Sequence, residues 1–241
     1  MTARGRFITL EGVDGAGKST HAVWLAEKLA GDGHRVAATR EPGGTPLGEK
    51  LREILLHLPM THDTEALLMF AARREHVENV IRPALARGEW VLCDRYTDAT
   101  YAYQGGGHGV PDARIRELEQ WICAGCRPDL TFLFDVPPAT SRRRLVKAHD
   151  EGRELDKFER EAGAFFERVR SAYLDRAAAE PQRFRIIDSA RPIDAVRAEL
   201  ESHMAQLGTG VRPVADPAAA AGDTSIGRRP PEGGSSGRSD G

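Results

Sequence analysis

The chain has 241 residues, 40% hydrophobic and 29% charged, with a formal net charge of −2, which is ordinary for a globular protein. That balance offers no basic field to nucleic acid or to an anionic membrane surface, and no apolar run reaches bilayer-spanning length. The N-terminal MTARGRFITLEG lacks an apolar signal core followed by a small-residue cleavage site, so a cytoplasmic enzyme is expected.

Strand-like and helix-like runs alternate along the chain. Phe7 to Leu10 is a short apolar run, followed by a glycine-rich turn and a helical stretch from Ser19 to about Ala30. Arg35 to Thr39 reads as a second strand, closed by Glu41-Pro42-Gly43-Gly44, and two helical stretches follow, Leu47 to His57 and Asp63 to Arg87. Trp90 to Cys93, Leu130 to Phe134 and Phe184 to Ile187 are three further strands, ending at Asp94, Asp135 and Asp188. This alternation predicts an α/β domain over residues 1–208, a parallel sheet with helices on both faces. Ligands in such folds bind outside the carboxyl ends of the strands, where the glycine turn and the aspartates fall.

The odd count of three cysteines argues against a disulfide framework. Cys123 and Cys126 form a C-x-x-C, but zinc would need two more ligands at suitable spacing. ELEQWICAGC matches the end of an amphipathic helix, so both are expected to be packing residues. Residues 209–241 are dominated by Gly, Pro, Ala, Ser and Asp, with no aromatic side chain. Such a segment cannot bury enough apolar area to offset ordering its backbone and is expected to be a disordered tail.

Gly12-Val13-Asp14-Gly15-Ala16-Gly17-Lys18-Ser19 fits G-x-x-x-x-G-K-[ST], with a strand before it and a helix after. Its backbone N–H groups and the helix start suit a phosphate, so this segment with Thr20 is the expected ATP site. Lys18 would reach the β- and γ-phosphates, and Ser19 would ligate Mg²⁺. Val91-Leu92-Cys93-Asp94 resembles the second phosphate-site strand, whose carboxylate lies near the metal. No N-K-x-D segment for guanine is present.

Four further segments carry a resemblance. EGVDGAGKST, TREPGGTPLGEKLR, LLMFAARREHVE and CDRYTDATYAYQGGG followed by RPDLTFLFDV resemble bacterial thymidylate kinases, from about Phe7 to about Leu200. The resemblance implies a P-loop nucleoside monophosphate kinase fold with a five-stranded parallel sheet and a small helical lid at about residues 142–157. It implies ATP-dependent phosphorylation of dTMP to dTDP with Mg²⁺, in a homodimer that needs neither nucleic acid nor a membrane. Arg95 resembles the acceptor-phosphate clamp, a guanidinium fork that matches phosphate, and Arg52 a second arginine on that phosphate. Asp94 resembles the carboxylate that helps hold Mg²⁺ or orient the acceptor. Asp14 looks like the acceptor of the sugar 3′-hydroxyl, Arg73 the donor to thymine O4, and Thr100 the partner of the base N3. Tyr103 resembles the ring packed against C2′, where a ribose hydroxyl would clash, and Gln104 lines the same pocket. The family stacks a ring on thymine one turn before Arg73; Phe70 supplies a ring three positions before it, while straight spacing points to Met69.

Gly15 stands where one class of these enzymes carries an arginine, and in the class with glycine the lid supplies the charge-neutralising arginine. Arg153 matches by position before Glu154-Leu155-Asp156, with Arg144 and Lys147 as rivals. Competing readings are another nucleotide kinase on the same core, a P-loop ATPase stimulated by polynucleotide, and a silent homologue. The last conflicts with intact Lys18, Ser19, Asp94 and Arg95.

Overall fold

The apolar runs pair into one sheet of five strands, β1 (Phe7–Glu11), β2 (Val36–Arg40), β3 (Trp90–Asp94), β4 (Leu130–Asp135) and β5 (Phe184–Asp188), as seen in a computed structural model. Residues 5–150, 154 and 156–209 are described, and all fall in one unit, Met1–Gly210. The expected tail beyond Thr209 and the lid candidate Arg153 lie outside the described residues.

Every strand pairing is parallel, in the order β2-β3-β1-β4-β5. The chain leaves β1 towards β2 and β3 on one side and later fills β4 and β5 on the other. The switch point therefore lies at β1, between β3 and β4, where α/β sheets open a crevice for ligands. Helices α1 (Lys18–Gly31), α2 (Pro46–His57), α3 (His62–His76), α4 (Arg82–Ala86), α5 (Thr97–Thr100), α6 (Asp112–Cys123), α7 (Pro138–Asp150), α8 (Gly163–Ala179) and α9 (Ile193–Thr209) surround the sheet.

Strand residues alternate between two faces. Ile8, Leu10 and Leu92 join one core with Leu25 of α1, Val169 of α8 and Leu200 of α9. Phe7, Val91 and Cys93 join a second with Phe70 of α3 and Ile115 of α6. Cys123 and Cys126 are buried free thiols in that second core, as the packing reading expects. Local chemistry marks the helix starts. The Thr45 hydroxyl accepts from Gly48 N–H at 2.9 Å with Pro46 at the first helical position, and Thr61 accepts from Thr64 N–H.

The helix expected over Asp63 to Arg87 is interrupted by a π-helical turn, Val77–Ile81. Pro83 has no N–H to continue the ladder, and the N–H of Arg82 donates to Val77 O, five residues back. A second π-helical segment, Tyr101–Gly107, follows α5. Its glycines permit close packing on α8: a Cβ at Gly106 would lie 2.5 Å from Ala172 Cβ.

One buried ionic cluster fixes α5. The fully buried Asp98 carboxylate accepts from Arg176 of α8 at 2.9 Å and from Arg183 at 2.6 Å, while Arg183 also donates to Thr131 of β4. Burial opposes ionisation of Asp98, but the two arginines hold its pKa below the usual carboxylate value. Removing one partner of such a cluster leaves buried charge uncompensated. Asp98→Ala should therefore destabilise the fold by about 3–5 kcal/mol in urea unfolding; a loss below about 1 kcal/mol would mean that the arginines are solvated by water.

Candidate active site

The glycine turn after β1 forms the floor of the site. Gly17 caps α1 with a left-handed backbone and no side-chain hydrogen bond, so the first N–H groups of the helix stay available to an anion. Val13 and Ala16 pack into the core and set the loop against the sheet. Gly15 has φ +74°, and a Cβ there would stand 2.8 Å from the carbonyl oxygen of Ser141 on α7. A larger residue at position 15 would push α7 away. The Ser141 hydroxyl donates to Asp14 O at 2.5 Å, tying the same helix to the loop.

Lys18 is 6% exposed, and its Nζ donates to Gly12 O and Val13 O, both at 2.9 Å. Burial first, and the neighbouring Arg95 charge second, bring its pKa down to about 8. An arriving phosphate would reverse that pressure. Ser19 donates to Asp94 Oδ2 at 3.1 Å, whereas the buried Asp94 Oδ1 has no partner. A hydroxyl and a carboxylate with a spare oxygen suit Mg²⁺, which takes one or two protein oxygens and completes its shell from water and phosphates. Among the described residues no group of three or more His, Cys, Asp or Glu side chains is placed to enclose a metal.

Arg95 follows β3 with φ +71°, a region that non-glycine residues seldom occupy. Its guanidinium donates to Gly12 O at 3.0 Å, Tyr173 Oη at 3.2 Å, Tyr103 Oη at 3.0 Å and Asp14 Oδ1 at 2.5 Å. Asp14 Oδ2 accepts the Tyr103 hydroxyl at 2.6 Å. Burial pushes the Asp14 pKa up, but Arg95, Lys18 and these hydrogen bonds outweigh it and keep the carboxylate ionised. Arg52, half-buried on α2, donates to Pro42 O at 3.0 Å.

Deeper in, Arg73 is 2% exposed. Its Nε donates to Glu41 Oε2 at 2.7 Å, and its Nη2 to Tyr96 O at 3.0 Å and Thr100 Oγ1 at 3.1 Å. The remaining Nη1 is buried without a partner, an unusual vacancy for a guanidinium. Glu41 also pairs with His76 at 2.8 Å. Gln104 donates to Glu65 Oε1 at 2.8 Å, and Lys157 reaches Glu65 Oε2 at 2.6 Å. Burial works against the Glu65 charge, yet His108, Lys157 and Gln104 lower its pKa to about 2.

These side chains line two adjoining clefts. The first, of about 550 Å³, is walled by Asp14, Arg52, Met69, Arg73, Arg95, Thr100, Tyr103, Gln104 and Phe158. The second, of about 1430 Å³, holds Lys18, Ser19, Thr20, Asp94, Arg40 and Arg144. Asp14, Glu41, Arg52, Arg95 and Asp156 border both. The boundary thus carries two arginines, and the second cleft also holds Lys18, a layout suited to two phosphates meeting end to end.

Of the described side chains singled out in the sequence, Phe70 and Lys147 line neither cleft. Phe70 is 1% exposed in the second core, with the Arg73 guanidinium 4.7 Å from its ring. Met69, one position earlier, lines the first cleft together with Phe158. The ring expected to stack on a base instead supports the arginine from behind, and straight helical spacing places the thioether in the wall. Arg144 bonds Gly15 O at 3.1 Å and Ser189 O at 2.8 Å, while Lys147 is exposed on α7. Sequence reasoning missed Glu41, although its place just past β2 is a strand end where ligands gather. It also missed Asp156 and Phe158, which sit in an irregular segment without periodicity.

A family model described as thymidylate kinase matches residues 10–200. The thymidylate kinase of Bordetella pertussis is 61% identical over 207 residues, covering 86% of this chain and 98% of the relative. That of Cupriavidus metallidurans is 61% identical over 204 residues, covering 85% and 100%. The crystal structure of thymidylate kinase from Ehrlichia chaffeensis superposes with a TM-score of 0.67 at 32% identity, covering 83% of this chain and 99% of the other. The chain belongs to the thymidylate kinase family.

Proposed function

We propose that this enzyme transfers the γ-phosphoryl group of ATP to the 5′-phosphate of dTMP, giving dTDP. The observation that carries the residue assignment is the wall shared by the two clefts, where Arg95 and Arg52 border both. The larger cleft takes ATP, its phosphates on the N–H groups of Gly15 to Thr20 and on Lys18. The smaller takes dTMP. A phosphate oxygen of dTMP is already a competent nucleophile, so no general base is required. Rate enhancement then comes from in-line placement and from neutralising charge that spreads over the transferring group.

Ser19 and Asp94 are the residues suited to hold Mg²⁺, whose charge would offset that of the phosphates. Arg95 grips the acceptor phosphate in fork geometry, with Arg52 beside it. Asp14, once it exchanges part of its bond with Tyr103, accepts the 3′-hydroxyl. The unpartnered Arg73 Nη1 meets thymine O4, Thr100 meets N3, Gln104 closes the far wall, and Met69 covers the base face. Tyr103 fills the space beside C2′. The tight approach of Gly15 to Ser141 favours the class in which the lid supplies the neutralising arginine, the part for which Arg153 is the sequence candidate.

We further propose a cytoplasmic homodimer. No helix among the described residues is long and apolar enough to cross a membrane. Leu47 and Ile54 of α2, Leu67 of α3 and Trp121 of α6 are exposed, the tryptophan by 75%, on helices that pack side by side. Exposed apolar side chains on these neighbouring helices offer a surface that a second copy could cover. Sedimentation should give twice the chain mass, and a monomer at micromolar concentration would refute the dimer.

A coupled ADP-release assay with ATP and Mg²⁺ over a panel of monophosphates should show dTMP turned over fastest, and preference for dCMP, dGMP or UMP would overturn the assignment. In the same assay Tyr103→Ala should cut discrimination against the ribose form of TMP by roughly tenfold or more. Unaltered discrimination would remove the steric role of the ring.

A further inference from the structure

Behind the Arg95 turn lie two side chains that play no part in the roles above. Glu11 closes β1 and is fully buried, and Tyr173 on α8 is 1% exposed. Glu11 Oε1 accepts the N–H of Tyr96 at 2.7 Å, and Oε2 accepts the Tyr173 hydroxyl at 2.8 Å. That hydroxyl in turn accepts from Arg95 Nη1 at 3.2 Å. A tyrosine hydroxyl that donates once keeps lone pairs for a second partner, so the path from sheet to guanidinium is continuous. The turn needs such support, because a left-handed arginine persists only where its surroundings over-determine it. Arg95 N–H donates to Leu10 O at 2.9 Å and Cys93 Sγ to Arg95 O at 3.0 Å, but neither bond reaches the side chain. Of the other side-chain contacts, Asp14 and Tyr103 line the first cleft and Gly12 belongs to the glycine loop.

We propose that Glu11 and Tyr173 are positioning residues for the acceptor-phosphate clamp. The Glu11 carboxylate fixes the backbone of the 95–96 turn directly and the Arg95 guanidinium through the Tyr173 hydroxyl. The sheet and α8 together then set where the acceptor phosphate is gripped. The inference rests on Arg95 as the clamp.

The charge state of Glu11 supplies a readout. It faces Arg95 and Tyr96 of the turn, Tyr173 of α8 and Asp98 of α5, with Lys18 of α1 and Cys93 of β3 close enough to feel its charge. Burial first, then the Asp98 charge, push its pKa up to about 7, against Arg95 and the hydrogen bonds from Tyr173 and Tyr96 N–H. Ionised, Glu11 accepts from both donors. With a proton on Oε2, the Tyr173 hydroxyl meets donors on both sides and its own hydrogen loses its acceptor. The clamp therefore loosens as pH falls through about 7, and kcat/KM for the acceptor falls with it. The dTMP phosphate titrates lower, at about 6, so the two effects are separable.

The test is steady-state kinetics on the full chain, with KM for dTMP and ATP measured separately and kcat/KM for dTMP followed from acid to neutral pH. Tyr173→Phe keeps the ring and loses both hydrogen bonds of the hydroxyl, the one given to Glu11 and the one taken from Arg95. It should raise KM for dTMP roughly tenfold while KM for ATP stays within about twofold. Glu11→Gln should move the acid limb from about 7 to about 6, where the phosphate alone titrates. An unchanged KM for dTMP in Tyr173→Phe, an equal rise for both nucleotides, or a Glu11→Gln limb that stays near the wild-type position would each overturn the proposal. Should Glu11→Gln fail to fold, the Tyr173→Phe split decides alone. If wild-type enzyme prefers another monophosphate, the same split is read on that acceptor, so a failed substrate assignment and a failed positioning role give different results.

Discussion

Holding the guanidinium of Arg95, only 15% exposed, in the wall between two clefts is the constraint around which the site is arranged. A cation largely withdrawn from water is tolerated only when paired and hydrogen-bonded, and here Asp14, two tyrosine hydroxyls and a carbonyl of the glycine loop share the task. These partners come from three separate parts of the chain: the loop after β1, the π-helical segment, and α8. The guanidinium therefore cannot be placed until the sheet, the loop and the helix behind it have all assembled. Asp98 strengthens that dependence by fastening α5 to α8 and to the residue leading into β5.

Charge in the larger cleft is close to compensated. Lys18, Arg40, Arg52, Arg95 and Arg144 face Asp14, Glu41, Asp94, Asp156 and Glu159. In the proposed reaction, phosphates entering this cleft would exchange with some of these internal pairings, so that no bare cluster of arginines stands open before they bind. Lys18 illustrates the exchange, since it spends its protons on two loop carbonyls that a phosphate can replace. The pressure that lowers its pKa to about 8 is the same pressure that a nearby phosphate removes.

Much of the fold was legible because its signals are local. Strands show as short apolar runs, and Lys18 and Ser19 sit at fixed offsets from a glycine turn. Strand ends carrying Asp94 and Asp135 point to the edge where ligands collect. The Met69 and Phe70 exchange was legible only in part: straight spacing on α3 pointed to Met69, while the demand for a ring favoured Phe70, and only tertiary packing shows that ring turned into the second core. Glu41, Asp156 and Phe158 escaped for another reason: each earns its place through partners distant in sequence, such as Arg73 for Glu41. Glu11 and Tyr173 lie 162 positions apart, and no local pattern joins them.

The central claim is that Arg95 reads the phosphate of the acceptor and not its sugar or base. Titration calorimetry of dTMP and of thymidine against wild-type protein and Arg95→Ala tests this most directly. The account predicts that dTMP affinity falls by roughly a hundredfold, about 2–3 kcal/mol for a charge-assisted bidentate contact, while thymidine affinity changes by less than about threefold. Equal losses for the two ligands, or no loss for dTMP, would contradict it.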